Sequence, residues 1–331
     1  MGSDDDAEEG RAAPVAPGGG EAAAGGGEAA PGGGDVAPGA GEPEAEEPVR
    51  PAVTVVPELP REETLERSFD RIIEEGRPRL RRTWLDTVAT GAVGGMEVAF
   101  GVLALLLVES RTGSQLLGGL AFSVGFIGLL LGHSELFTEG FLVPVTVVAA
   151  GEARVRDLLR LWAGTLAGNL AGGCLMAYLI DVAFPSLGTT AVHVAAYYIR
   201  EGITARTFVL SVLAGAAITL LTRMHQGTDS EVAKLVASVA IAWVLAGFRL
   251  FHSILDSILA FTALNTGRAT FGWEDWLTWV GWVLFGNLTG GLVLTTLLRM
   301  VRARARLIDH RVAKGLSVPG VSTSGHPRTE R

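Results

Sequence analysis

The chain has 331 residues, is 48% hydrophobic, and combines a mean hydropathy of +0.36 with a formal net charge of −8. The charge is uneven: residues 1–60 hold thirteen Asp/Glu against two Arg, net −11, which leaves about +3 for the other 271 residues. This describes a basic membrane body with an acidic appendage rather than an acidic protein, and the lone Cys174, in an apolar Gly-rich stretch, excludes an intrachain disulfide and reads as packing.

Residues 1–60 are rich in Gly, Ala, Pro and Glu. With few large apolar side chains they cannot offset the entropy of ordering, so a disordered acidic tail is predicted. The acidic start and the missing apolar core segment argue against a signal peptide. Residues 61–83 change to Arg61-Glu62-Glu63 through Arg79, Arg81 and Arg82, a charged helical lead-in along the membrane surface.

Six apolar spans follow within a membrane domain at 84–300, about 84–108, 114–150, 157–182, 205–224, 232–262 and 276–298. Each comes near or exceeds the roughly 20 residues that a crossing needs. A basic tail, 301–331, closes the chain; from residue 299 onward it holds eight Lys/Arg against two acids. Arg77, Arg79, Arg81 and Arg82, then Arg154, Arg156 and Arg160, then Arg223 and Lys234, and the final Arg cluster all fall on one side of this alternation. Positive residues favour the cytoplasm, so both termini are predicted to be cytoplasmic. Arg111, Arg200 and Arg268 fall on the other side.

The second and fifth spans are interrupted. The first break reads Gly132-His133-Ser134-Glu135-Leu136-Phe137-Thr138-Glu139-Gly140, the second Arg249-Leu250-Phe251-His252-Ser253-Ile254-Leu255-Asp256-Ser257, with the His-Ser pairs 119 residues apart. Polar residues at that depth are tolerated only where they pack in protein or line a water-filled cavity. Paired broken helices in matching halves are the sequence pointer to a transport site. A second repeat agrees: Gly168-Asn169-Leu170-Ala171-Gly172-Gly173 recurs as Gly286-Asn287-Leu288-Thr289-Gly290-Gly291, 118 residues on. A three-span unit repeated once must reverse its direction, which gives an inverted pair. The glycines read as helix-packing positions and the two Asn as hydrogen-bond partners of the broken helices.

Half-helix N-termini at the breaks favour a small anion. A bare anion is blocked by apolar surroundings, and a histidine titrating near neutrality can hand it a proton. His252 with Thr138 supplies that donor and a hydroxyl; the plainer reading of His252 is a helix–helix hydrogen bond. His133 reads as structural, and Glu135 as a cap of the half-helix that follows it. Glu97 and Arg249 are expected to pair, since isolated charges would be costly there. Trp273, Trp276, Trp279 and Trp282 read as an interfacial belt. No metal spacing is present, and no cofactor or nucleic-acid partner is expected.

These residues resemble the formate/nitrite transporter family over about 84–300. The run Gly118-Gly119-Leu120-Ala121-Phe122-Ser123 through Glu135-Leu136-Phe137-Thr138 carries the resemblance, with His252-Ser253-Ile254 and the two Gly-Asn-Leu-x-Gly motifs. It implies an all-α, aquaporin-like protomer of six transmembrane helices in two inverted three-helix repeats with helices 2 and 5 broken, assembled as a homopentamer with one pore per protomer. It also implies small monovalent anions as substrates in the bilayer. Phe122, Phe126, Leu136, Thr138, Leu245 and His252 then lie along the path, with Glu97, Glu135, Asn169, Arg249, Asp256 and Asn287 in support. The chain departs from the family pattern at the outer mouth, where Ile203 stands in place of a lysine. Phe251 stands where an acid precedes the central histidine, and Glu139 follows Thr138. Two other readings remain: a pore for other small neutral or weakly acidic solutes, and an intramembrane enzyme using Ser123 or Ser253 with His252. The enzyme reading lacks a glycine-framed nucleophile.

Overall fold

The computed structural model describes residues 61–316. The predicted acidic tail at 1–60, and residues 317–331, lie outside the described residues. Helix α1, Arg61–Arg81, is amphipathic: Phe69, Ile72, Ile73 and Leu80 share one face at helical spacing and are buried. That face packs against Val147, Ala150, Leu158 and Leu161.

Helix α2, Trp84–Thr112, begins on Thr83, whose hydroxyl accepts the Asp86 N–H, and ends on left-handed Gly113, whose N–H returns to Glu109 O at 2.8 Å. The expected span 114–150 is divided into α3, Gln115–Ala121, α4, Ser123–Gly132, a 3-10 turn at Phe137–Phe141, and α5, Val143–Ala149. Helix α6 covers Val155–Ala183. Helix α7, Gly188–Arg200, fills a stretch that the sequence reading left between spans. Helix α8 is Ala205–Gln226 and α9 is Glu231–Gly247, capped by Thr204 and Ser230. After the second break come α10, Ser253–Asn265, and α11, Trp273–Thr289. The last passes through a π-helical segment, Gly290–Leu297, into α12, Leu298–Arg302; α13, Arg304–Ala313, follows. No strand occurs among the described residues.

Among the described residues, five helices are long and apolar enough to cross a membrane: Trp84–Thr112, Gln115–Gly132, Val155–Ala183, Ala205–Gln226 and Trp273–Arg302. Phe137–Ala149 and Ser253–Asn265 are shorter apolar helices. Two crossings organise them, α2 on α6 and α8 on α11, and each runs on glycine. A Cβ at Gly95 would strike the Asn169 backbone, and one at Gly215 would strike the Asn287 backbone. Close backbone approach is what small residues allow in membrane helices, and here it brings each Asn up to a break.

The tryptophan belt needs correction. Trp273 is exposed, but Trp279 is 2% exposed within the core, and Trp276 and Trp282 donate to Ser257 and Thr207 hydroxyls. Residues three apart on a helix stay near one face, and most of this face turns inward.

Candidate functional site

Both breaks are built alike. Helix α4 ends on His133 at φ +52°, and α9 runs out on Arg249 at φ +50°, the two non-glycine residues in the left-handed region among the described residues. That turn costs on the order of 1–2 kcal/mol for an L-residue, and it swings the chain out of the helix axis. An Asn then holds the released backbone. Asn169 Oδ1 accepts Phe137 N–H at 2.8 Å, while its Nδ2 donates to Gly91 O and Glu135 O at 2.7 and 2.9 Å. Asn287 Oδ1 accepts Ser253 N–H at 3.0 Å, and its Nδ2 donates to Ser211 O and Phe251 O, each at 2.9 Å. Buried backbone groups need such partners.

This pairing shifts the repeat. Phe137 matches Ser253 and Glu135 matches Phe251, an offset of 116 residues rather than 119. His133 therefore corresponds to Arg249, and Leu136 to His252. The two His-Ser pairs look alike in sequence without being structural counterparts.

The breaks meet at a hydrogen bond, Thr138 Oγ1 to His252 Nε2, 2.9 Å, with both residues fully buried. His252 also caps α10: Leu255 N–H donates to Nδ1 at 3.2 Å. An Nδ1 that accepts carries no proton, so this network assigns the neutral ring with its proton on Nε2, donated to the Thr138 hydroxyl. Asp256 Oδ2 accepts His252 N–H at 2.8 Å, whereas Asp256 Oδ1 and Ser253 Oγ are buried without a protein partner. Polar capacity therefore remains unused beside His252.

Phe122 and Phe126 are buried and meet edge-to-face at 5.4 Å between ring centroids. Leu136 and Leu245 are buried with them in the core cluster that contains Phe251 and Ile254. A recess of about 360 Å3 opens beside Phe126 and Leu129; Arg79, Arg82, Glu135 and Glu139 stand at its polar end.

Two expectations fail. Glu97 and Arg249 do not pair: Arg249 Nη2 meets Glu109 Oε1 at 3.0 Å and stacks on the Tyr197 ring at 4.8 Å, while Glu97 accepts the Ser134 hydroxyl. The two breaks lie at different levels along α2, and Glu109, twelve residues beyond Glu97, is the one level with Arg249. Nor does the Glu135 side chain cap the following half-helix; it receives Arg82 at 2.6 Å and Arg79 at 3.3 Å. Glu139 does that work, its Oε2 accepting Leu136 N–H at 3.4 Å. His133 is exposed at the recess. The pairs Arg249–Glu109 and Arg82–Glu135 escaped the sequence reading because their members are 140 and 53 residues apart; no local pattern marks such pairs.

The sequence profile described as Formate/nitrite transporter matches residues 66–301. "Inner membrane protein YfdC" of Escherichia coli (strain K12) is 24% identical over 267 residues, covering 74% of this chain and 81% of that protein. "Formate channel BtFdhC" of Bacillus thuringiensis is 24% identical over 242 residues, covering 68% of this chain and 90% of its own length. Among solved structures, an "FNT family ion channel" superposes with a TM-score of 0.64 at 19% identity, covering 71% of this chain and 98% of the other. A "Pentameric formate channel with formate bound" superposes with a TM-score of 0.54 at 19% identity, covering 68% and 97%.

Proposed function

This chain belongs to the formate/nitrite transporter family, and from that premise we propose that it conducts small monovalent anions or their weak acids, formate and nitrite among them, past the Thr138–His252 pair. It is a multi-pass membrane channel or transporter, and an intramembrane enzyme is no longer a reading to weigh. The relatives named as formate channels support the substrate class. The pentameric neighbour supports a homopentamer, and the meeting of both breaks within one chain supports a passage in each protomer.

The observation that carries the reading is the buried hydrogen bond between the breaks, 2.9 Å, with Ser253 Oγ and Asp256 Oδ1 unused beside it. A neutral His252 donating to Thr138 leaves the threonine hydroxyl proton free for a carboxylate or nitrite oxygen. The N-terminus of α10 adds positive partial charge at the same place. In this reading Phe122, Phe126, Leu136 and Leu245 form the apolar rings on either side, and they favour the protonated acid over its anion. A proton relay through His252 has a definite cost: a proton on Nδ1 turns that nitrogen into a donor and forfeits the Leu255 cap. Asn169 and Asn287 hold the backbone of the path, and Glu97, Glu135, Arg249 and Asp256 hold the ends of the breaks.

We read the membrane body, 84–300, as six transmembrane helices in two inverted repeats. Residues 1–60 are the acidic tail, 61–83 the lead-in and 301–331 the basic tail, with both termini cytoplasmic. A thiol reagent outside intact cells should then miss Ala40→Cys and Gly320→Cys; labelling of either overturns the inverted arrangement.

Flux into liposomes between about pH 5 and 8, across the ordinary histidine pKa of ~6.5, tests the relay. His252→Asn keeps an N-cap acceptor and removes the titrating ring. Formate flux should lose its rise toward acidic pH, while Thr138→Val should slow flux several-fold and keep the rise. An unchanged profile in an assembled His252→Asn protein removes the relay. The second reading, other small neutral or weakly acidic solutes, is favoured by Glu139 and Glu135 standing together in the recess. Acetate, lactate and glycerol in the same assay separate the two.

A further inference from the structure

A groove of about 900 Å3, separate from the recess at the first break, is lined by α1, α8, the π-helical segment, α12 and α13. Its wall is apolar, and Leu220, Leu294 and Leu298 are 40%, 48% and 60% exposed along it. Among the described residues no carboxylate lines it, whereas Arg223, Arg299 and Arg302 do. Arg299 is anchored, its Nη2 donating to Ser68 Oγ at 2.6 Å, yet its Nη1 is buried with no protein partner. The arginines sit in the last turns of α8 and α12, where two apolar runs end.

An apolar slot rimmed by cations at the end of membrane-crossing helices fits an amphiphile, and in a bilayer the abundant one is a chain of methylenes ending in a phosphate diester. We propose that the groove binds an anionic phospholipid. One acyl chain lies along Leu220, Leu294 and Leu298, and the phosphate is held between Arg223, Arg302 and the unpaired Nη1 of Arg299. Arginine suits this because its planar fork meets two phosphate oxygens at once. Basic pockets between transmembrane helices are where anionic headgroups gather. The lipid would join α1 and α13 to the end of α8 without entering the substrate path.

Native mass spectrometry of the full-length protein in detergent tests this with dioleoyl phosphatidylglycerol, dioleoyl phosphatidylcholine and inorganic phosphate as probes. Phosphatidylglycerol should bind on the order of a hundredfold more tightly than phosphatidylcholine, since each basic residue near a lipid surface contributes about fivefold. Arg223→Gln and Arg302→Gln, at exposed positions, should each lower that preference about fivefold with assembly intact. Leu294→Trp, which fills the slot, should exclude both lipids. Equal binding of the two lipids, or a preference that survives both Arg→Gln changes, overturns the proposal. So does displacement of phosphatidylglycerol by millimolar phosphate, which marks a site for a free anion. Deleting residues 1–60 should leave lipid uptake unchanged; a rise on deletion gives the groove to the acidic tail instead. Flux is not the readout, so failure here leaves the reading of His252 untouched.

Discussion

The two breaks use the same hydrogen bonds in different surroundings. The first leads from exposed His133 to Glu135, which is clamped by Arg79 of α1 and by Arg82 just after it. The second is buried from Phe251 through Ala263, held by Asn287, Asp256 and the His252 cap. One is fixed from outside by charges that water and salt can reach; the other is fixed from inside by groups they cannot. In the proposed reading the Thr138 hydroxyl that a substrate would meet belongs to the first break and is oriented by His252 of the rigid side, while access to it is bounded by the ion pairs at Glu135. A channel with this division can alter its entrance without disturbing its chemistry.

The most severe way to break the comparison is to remove the Asn of each half. Asn287→Ala leaves Ser253 N–H and the Ser211 and Phe251 carbonyls without that side chain in a dry core. Each buried polar group left unmade costs about 1–3 kcal/mol, so a loss near 4 kcal/mol is expected. Asn169→Ala abandons the same number of bonds beside a polar recess where water can replace some, and about 2 kcal/mol is expected. Thermal unfolding in detergent reads both. Equal losses would erase the distinction between a dry break and a wet one.

A smaller effect sharpens it. Arg79→Gln with Arg82→Gln frees Glu135 and should lower stability by only about 0.5–1 kcal/mol, as part-exposed ion pairs do. Flux through the wild type should vary with ionic strength because this clamp is screened. In the double variant the salt dependence should shrink while the pH profile attributed to His252 stays. If the pH profile moves with the clamp, the breaks are coupled and the division of labour fails.

Much of the architecture was legible because it is written locally. Apolar runs of about 20 residues, the polar interruptions and the repeated Gly-Asn-Leu-x-Gly each depend on residues a few positions apart. What was misread depends on distance. The register of the repeat differs by three residues because the two His-Ser pairs are alike only in sequence, whereas the Asn side chains match Phe137 to Ser253. The partner of Arg249 is Glu109 rather than Glu97 because depth along α2 decides it, and depth is invisible until the helices cross. Helix α7 lies outside the six expected spans, yet Tyr198 packs its ring 5.2 Å from Phe251 and so backs the second break.

The smallest prediction concerns what lies beyond the first break. Glu152, in the turn after α5, receives His310 Nε2 at 2.9 Å, Lys314 Nζ at 3.3 Å and Arg77 Nη2 at 3.2 Å, so one carboxylate ties α1, the exit of the break and α13. Burial pushes its pKa up, but the hydrogen bonds from His310 and Lys314 and the charge of Arg77 outweigh that and hold it below the usual carboxylate range. A carboxyl depressed by folding contributes stability above its unfolded pKa of about 4.3, and that contribution is lost as pH falls through the folded value. Amide protection of α13, corrected for intrinsic exchange, should therefore hold from pH 7 down to about 4 and fall below it. Glu152→Gln should lower it by about 0.5 kcal/mol at neutrality, converge with the wild type below about pH 4, and so flatten the fall. The Ser253 amide, held by Asn287 in the second break, should keep its protection in the same samples. Loss at Ser253 together with α13 would mean that the buried break leans on the charged end of the molecule, contrary to the geometry that separates them.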